Sequence, residues 1–407
     1  MPPRLQLLAR TGHPDFLDLP WDVPLEEWQN ERLVDVVRGI SRHVVRFVNY
    51  DGSLYALKEL PAQLARREYS LLRALAAQEM PVVEVVGVVI ERAGDLDAVL
   101  ITRHLDYSIP FRKLFAGHEL PDLRNRLLDA GAELLVRLHL AGFFWGDCSL
   151  SNTLFRRDAG ALTAYLVDAE TGELHPQLSE GQRRHDLAIA EENVVGELLD
   201  VEAELDEPQR FEPEATARGL VNRYEGLWGE LTHEEVFGPD ERYRIDARLH
   251  RLNELGFDVD EVELIAAEDG YRLRLDPQVV EPGHHRRRLH GLTGLTAQEN
   301  QARRLLNDLA RYRAELERVD GQLPETVVAY RWLAEVFEPT IAAVPRELAA
   351  KRQAAELFHE ILEHRWYLSQ VAERDVGLKA AITSYLESVL PHEPDERTVL
   401  EPIEEPD

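Results

Sequence analysis

The chain has 407 residues, 44 % of them hydrophobic, which is enough for two or three ordinary cores, and carries a formal charge of −29. That charge repels phosphate backbones and anionic lipid heads, so nucleic acid is not an expected partner, and an anionic ligand needs a local basic pocket plus a metal ion. A single cysteine, Cys148, excludes an internal disulfide or a redox pair.

Residues 1–32 read as a leader packing onto the first domain, with a helical pattern over PLEEWQNERLVDVV. The short runs VVRFVNY and SLYALKEL follow, split by Asp51-Gly52, a dipeptide suited to a tight hairpin. Leu64, Glu68, Leu71, Leu72 and Leu75 then recur at helical spacing until just before Pro81. VVEVVGVVIER and AVLITRHL form a second expected hairpin around Ala93-Gly94-Asp95. A helix is predicted from about Leu120 to His139 with Gly142 as its stop, then a polar loop, then the strand-like LTAYLVD. From His185 to Glu230 the chain is acidic and helix-prone, interrupted by EPQRFEP.

The second half opens with a helix-like DERYRIDARLHRLNELGF and two strand-like runs joined by Glu268-Asp269-Gly270. GHHRRRLHGLTGL reads as a basic loop, and Thr296 and Glu299 match the ends of a capping box for a long helix. Helical patterns continue through LPETVVAYRWLAEVF and from Pro345 to Leu390, and residues 391–407 form an acidic, proline-rich tail. The expected organisation is a leader (1–32), a first domain (33–234, dividing near 103 and 104), an α-rich second domain (235–390) and the tail.

Phosphoryl transfer to a hydroxyl needs a cation on the nucleotide phosphates, oxygen ligands for magnesium, and a carboxylate that takes the hydroxyl proton. Lys58, one of only four lysines, lies on a predicted strand, and Glu68 on the following helix can pair with it. Asp147 and Asn152 stand five positions apart in the loop after a helix, a spacing suited to a base and a metal ligand. Asp168 ends a short apolar strand, where a second metal ligand is expected.

YALKEL, REYSLLRAL, HLAGFFWGDCSLSN and YLVDAE, in that order, resemble the protein-kinase-like superfamily over residues 33–230. Within it the chain is most similar to bacterial lipopolysaccharide kinases and to small-molecule kinases acting on aminoglycosides or choline. Residues 235–395 resemble an uncharacterised bacterial domain that accompanies such regions. The resemblance implies an α+β fold: a bilobal kinase-like domain with an antiparallel β-rich N-lobe and a helical C-lobe, then a mainly helical domain with a small β-hairpin. It implies ATP and Mg2+ as cofactors and a small-molecule, sugar or glycolipid-like acceptor, with Asp147, Lys58 and Glu68 catalytic and Asn152 and Asp168 on the metal. Adenine is expected against AVLITRHL, near the backbone of Arg103 and Leu105. Asp186 is expected to prop the catalytic loop.

The pattern also departs from that family. Gly146 precedes the base, Ser149 replaces the lysine of ordinary protein kinases, and Asp168-Ala169-Glu170 replaces Asp-Phe-Gly. GISRHVVRF lacks G-x-G-x-x-G, so phosphate contacts fall to amides near Ile40 and to Ser41, Arg42 or His43. A nucleotide-binding pseudokinase, acting as a scaffold through its C-terminal domain and a protein partner, is the alternative; a protein-directed regulator is weaker for want of that lysine. Cys148 has no flanking histidine and reads as a buried filler. Residues 284–290 read as a solvated basic segment, with a phosphate clamp as the functional version. FHEILEH misses a zinc-protease motif by one residue. No apolar run spans a membrane and no signal-peptide block stands at the start, so the expected location is the cytoplasm.

Overall fold

In the computed structural model, the alternation of SLYALKEL puts Leu57 into an apolar core and Lys58 on the opposite face of a sheet. The structure describes residues 6–9, 12–36, 42–111, 121–159, 161–204, 212–232, 235–237, 262–267, 270–275, 283–320, 323–372, 374 and 376–393. They divide into two compact units, one of Met1–Phe155, Ala164–Gly229 and Thr398–Asp407, the other of Arg156–Thr163 and Glu230–Arg397.

The first unit contains a six-stranded antiparallel sheet built from β1 (Gln6–Ala9), β2 (Leu33–Val34), β3 (Val45–Tyr50), β4 (Ser53–Leu60), β5 (Val85–Ile90) and β6 (Ala98–Arg103), in the order β1-β5-β6-β4-β3-β2. The β3–β4 turn has both central residues at positive φ, Asp51 at 52° and Gly52 at 83°, as its Asp-Gly pair requires. Helix α1 (Ala62–Ala77) follows β4 and buries Ala65, Glu68, Leu72 and Leu75 along one face.

The leader differs from its helical expectation. Its described part holds the edge strand β1 and one 3-10 turn, Leu25–Glu27, and the edge strand β2 follows it directly. Phe16, Leu19, Trp21, Leu25 and Trp28 pack into the core of the sheet, where Trp21 and Trp28 meet edge to face at 5.1 Å. An aromatic pair of that kind adds about 1 kcal/mol beyond its buried area.

The helical part of this unit comprises α2 (Pro121–Leu140), α3 (Glu180–Glu204) and α4 (Pro213–Thr232). Short strands β7 (Ile109–Pro110), β8 (Phe143–Phe144) and β11 (Glu173–Leu174) lie between, and β9 (Thr153–Asp158) and β10 (Ala161–Leu166) pair as neighbours, their outer residues 156–163 grouping with the second unit. Gly142 ends α2 at φ 78°; a Cβ there would lie 2.0 Å from the His175 carbonyl oxygen, so only glycine fits. The fold is α+β, a β-rich lobe followed by a helical one, as expected.

In the second unit, β13 (Val262–Ala267) and β14 (Gly270–Leu275) pair as the predicted hairpin, and β12 (Glu235–Phe237) adds a third strand to β14. Its described α-helices are α5 (His284–Thr293), α6 (Glu299–Asp320), α7 (Glu325–Trp332), α8 (Glu338–Ala342), α9 (Ala354–Ala372) and α10 (Leu378–Ser388). Trp332, Phe337 and Phe358 form the aromatic centre of its larger core.

The basic segment 284–290 is a helix, not a loop. Gly283 and Gly294, at φ 84° and 74°, delimit α5 with left-handed residues at both ends. Glu299 accepts from the His285 and Arg286 amides and from His285 Nδ1, which satisfies the first turn. The Thr296–Glu299 capping box therefore does not form; the Asn300 and Gln301 amides donate instead to Asp158. The expected helix at DERYRIDARLHRLNELGF, the turn pair Glu268-Asp269 and the tail beyond Glu393 lie outside the described residues.

Candidate active site

Cross-strand register brings Lys58 opposite Val45 on one side and Leu100 on the other, and its side chain is only 12 % exposed. Its ammonium lies 3.1 Å from Glu68 Oε2, 2.6 Å from Asp168 Oδ2 and 3.1 Å from Glu170 Oε2. Burial alone would lower the Lys58 pKa, but the Glu68 and Asp168 carboxylates outweigh it and hold the ammonium above its usual range. Burial and the neighbouring Asp168 charge push Glu68 up to about 8. Burial opposes ionisation of Asp168, yet Lys58 beside it keeps that carboxyl below the usual range.

Asp147 and Asn152 lie in the loop between β8 and β9. Asn152 Nδ2 donates to the Asp147 carbonyl at 3.1 Å and approaches Asp147 Oδ2 at 3.4 Å. Helix α3 holds this loop at three points along one face. Asp186, fully buried, accepts the Trp145 and Gly146 amides at 2.7 and 2.8 Å. Asn193 donates to Asp147 Oδ1 and to the Cys148 carbonyl, both at 3.1 Å. Glu197 accepts the Leu150 and Ser151 amides at 2.7 and 2.9 Å.

His139 on α2 completes the support. Burial lowers its pKa, so the ring is neutral; Nε2–H donates to Asp186 at 3.0 Å and Nδ1 accepts from the Tyr224 hydroxyl at 2.7 Å. The metal segment is tied to the same loop, because the Trp145 indole donates to the Asp168 carbonyl and the Thr171 hydroxyl to the Trp145 carbonyl, both at 2.9 Å. Asp186 thus takes the propping position expected for it, whereas Asn193 and Glu197 had no signal in the sequence beyond helical spacing from Asp186.

Of the phosphate-loop residues, Arg42 reaches Asp147 Oδ2 at 2.5 Å and His43 Nε2 reaches Glu170 Oε2 at 2.8 Å. Ser41, with Gly39 and Ile40, lies outside the described residues. The Arg103 amide donates to the Glu84 carbonyl and the His104 amide to the Leu54 carbonyl, both at 2.8 Å, and Leu105 follows in the linker after β6. Cys148 is buried and its thiol is pushed well above its ordinary pKa, first by burial and then by Asp186, Glu197 and Asp147, which suits packing and not nucleophilic attack.

Glu68, Asp168 and Glu170 bring carboxylate oxygens within 4.8 Å of one another, the only such metal-competent cluster among the described residues. Hard oxygen donors around an excess of negative charge fit magnesium. His359 and Glu363 lie 4.0 Å apart on α9 and belong to no three-ligand cluster among the described residues, in keeping with FHEILEH being no zinc motif. Arg286 and Arg288 find acidic partners in their own unit, Glu299 and Glu325. No described helix is long and apolar enough to cross a membrane.

Residues 43–203 match the family model "Lipopolysaccharide kinase (Kdo/WaaP) family", and residues 226–390 match "Domain of unknown function (DUF4032)". Among solved structures, "WaaP in complex with acyl carrier protein" is 18 % identical, covering 55 % of this chain and 88 % of that one, with a TM-score of 0.35. No curated protein matches the chain. The chain thus carries a kinase-like phosphotransferase region similar to the lipopolysaccharide kinases, joined to a domain of unknown function.

Proposed function

We propose that the chain transfers the γ-phosphoryl group of magnesium-bound ATP to a hydroxyl of a sugar, glycolipid-like or other small-molecule acceptor. The observation that carries this reading is the Lys58 ammonium held among Glu68, Asp168 and Glu170, beside a loop presenting Asp147 and Asn152. Magnesium would supply charge neutralisation between the phosphates and sit on Asp168 and Asn152, with Glu170 and Glu68 nearby. Lys58, positioned by Glu68, binds the α- and β-phosphate oxygens. Leu105 orients the adenine. Arg42 and His43, with Ser41 beside them, meet the outer phosphates once they leave their carboxylate partners.

Asp147 accepts the acceptor's hydroxyl proton as that oxygen bonds to the γ-phosphorus, and the bond from the phosphorus to the β–γ bridging oxygen breaks to release ADP. Asn193 on Oδ1 leaves Oδ2 as the proton acceptor. Because the two-after-base position is Ser149, Arg42 is the side chain that supplies cationic charge next to the base.

The test is thermal unfolding of the full chain with and without ATP and magnesium, together with a radiolabelled phosphate-transfer screen over sugar and small-molecule acceptors. Ligand at about a hundred times its dissociation constant stabilises the folded state by about 2.7 kcal/mol. Wild type should show a magnesium-dependent rise in midpoint that Asp168→Ala loses, and Asp147→Asn should keep the rise but lose transfer. No rise at millimolar ATP refutes the reading and favours a scaffold role.

A further inference from the structure

Asn152, a proposed magnesium ligand, is held at three atoms. Its Nδ2 donates to the Asp147 carbonyl at 3.1 Å, which leaves Oδ1 as the side chain's ligating atom. Its carbonyl accepts the Val167 amide at 3.0 Å, and its amide donates to Ser149 Oγ at 3.1 Å. The first two holds come from the base and from the segment that leads from β10 to Asp168. The third comes from the position two after the base, where ordinary protein kinases carry a lysine. Ser149 is 7 % exposed, so water has little access to its hydroxyl.

A serine hydroxyl has one hydrogen to give and two lone pairs to offer. In Ser149 a lone pair takes the Asn152 amide, and the hydrogen goes to Glu197 on α3. Glu197 also accepts the Ser151 hydroxyl and the Leu150 and Ser151 amides, the amides at 2.7 and 2.9 Å. An ionised carboxylate only accepts, so the direction of the chain is fixed: Glu197 draws the Ser149 hydrogen and turns a lone pair of the same oxygen toward the Asn152 amide. The turn at Ser149 closes without that carboxylate, because the Thr153 amide donates to the Leu150 carbonyl at 3.2 Å and Thr153 Oγ1 to the Ser149 carbonyl at 2.8 Å. Glu197 is thus more than the turn requires, and a partly buried carboxylate is costly unless its lone pairs are met. All of these groups belong to the first unit.

We infer that Glu197 is a positioning residue for phosphoryl transfer, acting through the Ser149 hydroxyl to hold the backbone of the metal ligand Asn152. The position two after the base then serves as a relay to α3. This rests on reading Asn152 as a magnesium ligand.

The test is a magnesium titration of the full chain at fixed ATP, read by the unfolding midpoint and by phosphate transfer, for wild type, Ser149→Ala, Glu197→Ala and the double variant. Ser149→Ala removes one buried hydroxyl and leaves the Glu197 bonds to the Leu150 and Ser151 amides in place. Loss of an outer partner of a metal ligand raises the half-saturating metal concentration by about tenfold or more, and that rise is expected in both single variants. Because the two residues act through one chain of hydrogen bonds, the double variant should need no more magnesium than the worse single one, whereas independent residues would multiply their effects. Should Glu197→Ala not fold, Ser149→Ala decides by the first criterion. An unaltered magnesium requirement in Ser149→Ala, even with a lowered midpoint, overturns the inference alone, as do effects that multiply in the double variant. A wild type that ignores magnesium overturns the phosphotransfer reading, and the inference with it.

Discussion

Replacing Asp186 with alanine tests whether α3 holds the catalytic loop as its geometry implies. The carboxylate is fully buried and accepts three donors: the Trp145 amide, the Gly146 amide and His139 Nε2. Its removal strands two backbone N–H groups in a site that water reaches poorly. Each such orphan costs about 1–3 kcal/mol, so the loop should lose about 4 kcal/mol of local stability. Since about 1.4 kcal/mol is a factor of ten in an equilibrium, amide exchange over residues 143–152 should accelerate about a thousandfold. The assay is native-state hydrogen exchange read on peptides, with β5 as the internal control. Asp186→Asn keeps one acceptor oxygen and should fall between the two. Exchange within about tenfold of wild type in Asp186→Ala would refute the assignment of the loop's rigidity to Asp186.

Asn193→Ala removes the donors to Asp147 Oδ1 and the Cys148 carbonyl; a base free to swing should lower kcat by about a hundredfold while the ATP KM stays put, and an unchanged kcat would show that Asn193 does not orient it. Glu68 binds a proton in the folded state up to about pH 8 but only to about 4.5 when unfolded, so its contribution to stability is full below about 4.5 and is lost as pH rises through 8. Urea unfolding between pH 5 and 8.5 should therefore slope downward by up to about 1.4 kcal/mol per pH unit, and Glu68→Gln should flatten the profile; parallel profiles would contradict the buried-carboxyl account. Arg42 is 75 % exposed, so Arg42→Ala should leave the unfolding midpoint of the unliganded protein unchanged yet weaken magnesium-ATP by about tenfold in calorimetry, and equal affinities would remove it from the phosphate site.

The parts of this fold readable from the chain are those governed by local rules. Asp51-Gly52 fixes the hairpin that delivers Lys58, helical spacing places Glu68, and loop length sets Asp147 and Asn152. Where the reading failed, a distant group overrode a local signal. The Thr296–Glu299 box lost to Asp158, far earlier in the chain, because a buried carboxylate on two amides outcompetes an exposed cap. With Glu299 released, it could satisfy the start of α5, an arginine-rich helix that buries Leu289 in the core of its unit. The leader's helical periodicity gave way because its tryptophans gain more by packing on the sheet than they would on one face of an isolated helix. Asn193 and Glu197 were hidden differently: on an acidic helix many polar residues share their spacing, and only contact with the loop distinguishes them.

The charge arrangement bears on what a metal would do on the phosphotransfer reading proposed above. Three carboxylates, Asp147, Asp168 and Glu170, face two permanent cations, Lys58 and Arg42, with His43 as a third only when protonated, while Glu68 is pushed toward its neutral form. A pocket with that excess, on a chain of net charge −29, repels a bare nucleotide. The cations cannot be released to phosphates unless something else neutralises the carboxylates they leave. On the reading proposed above, Asp168 and Asn152 would hold a divalent ion with Glu170 nearby, whose charge would offset these carboxylates and leave Lys58, His43 and Arg42 available to phosphates. On that reading, metal and nucleotide are coupled through exchange of the ion pairs that Lys58, Arg42 and His43 make with Asp168, Asp147 and Glu170.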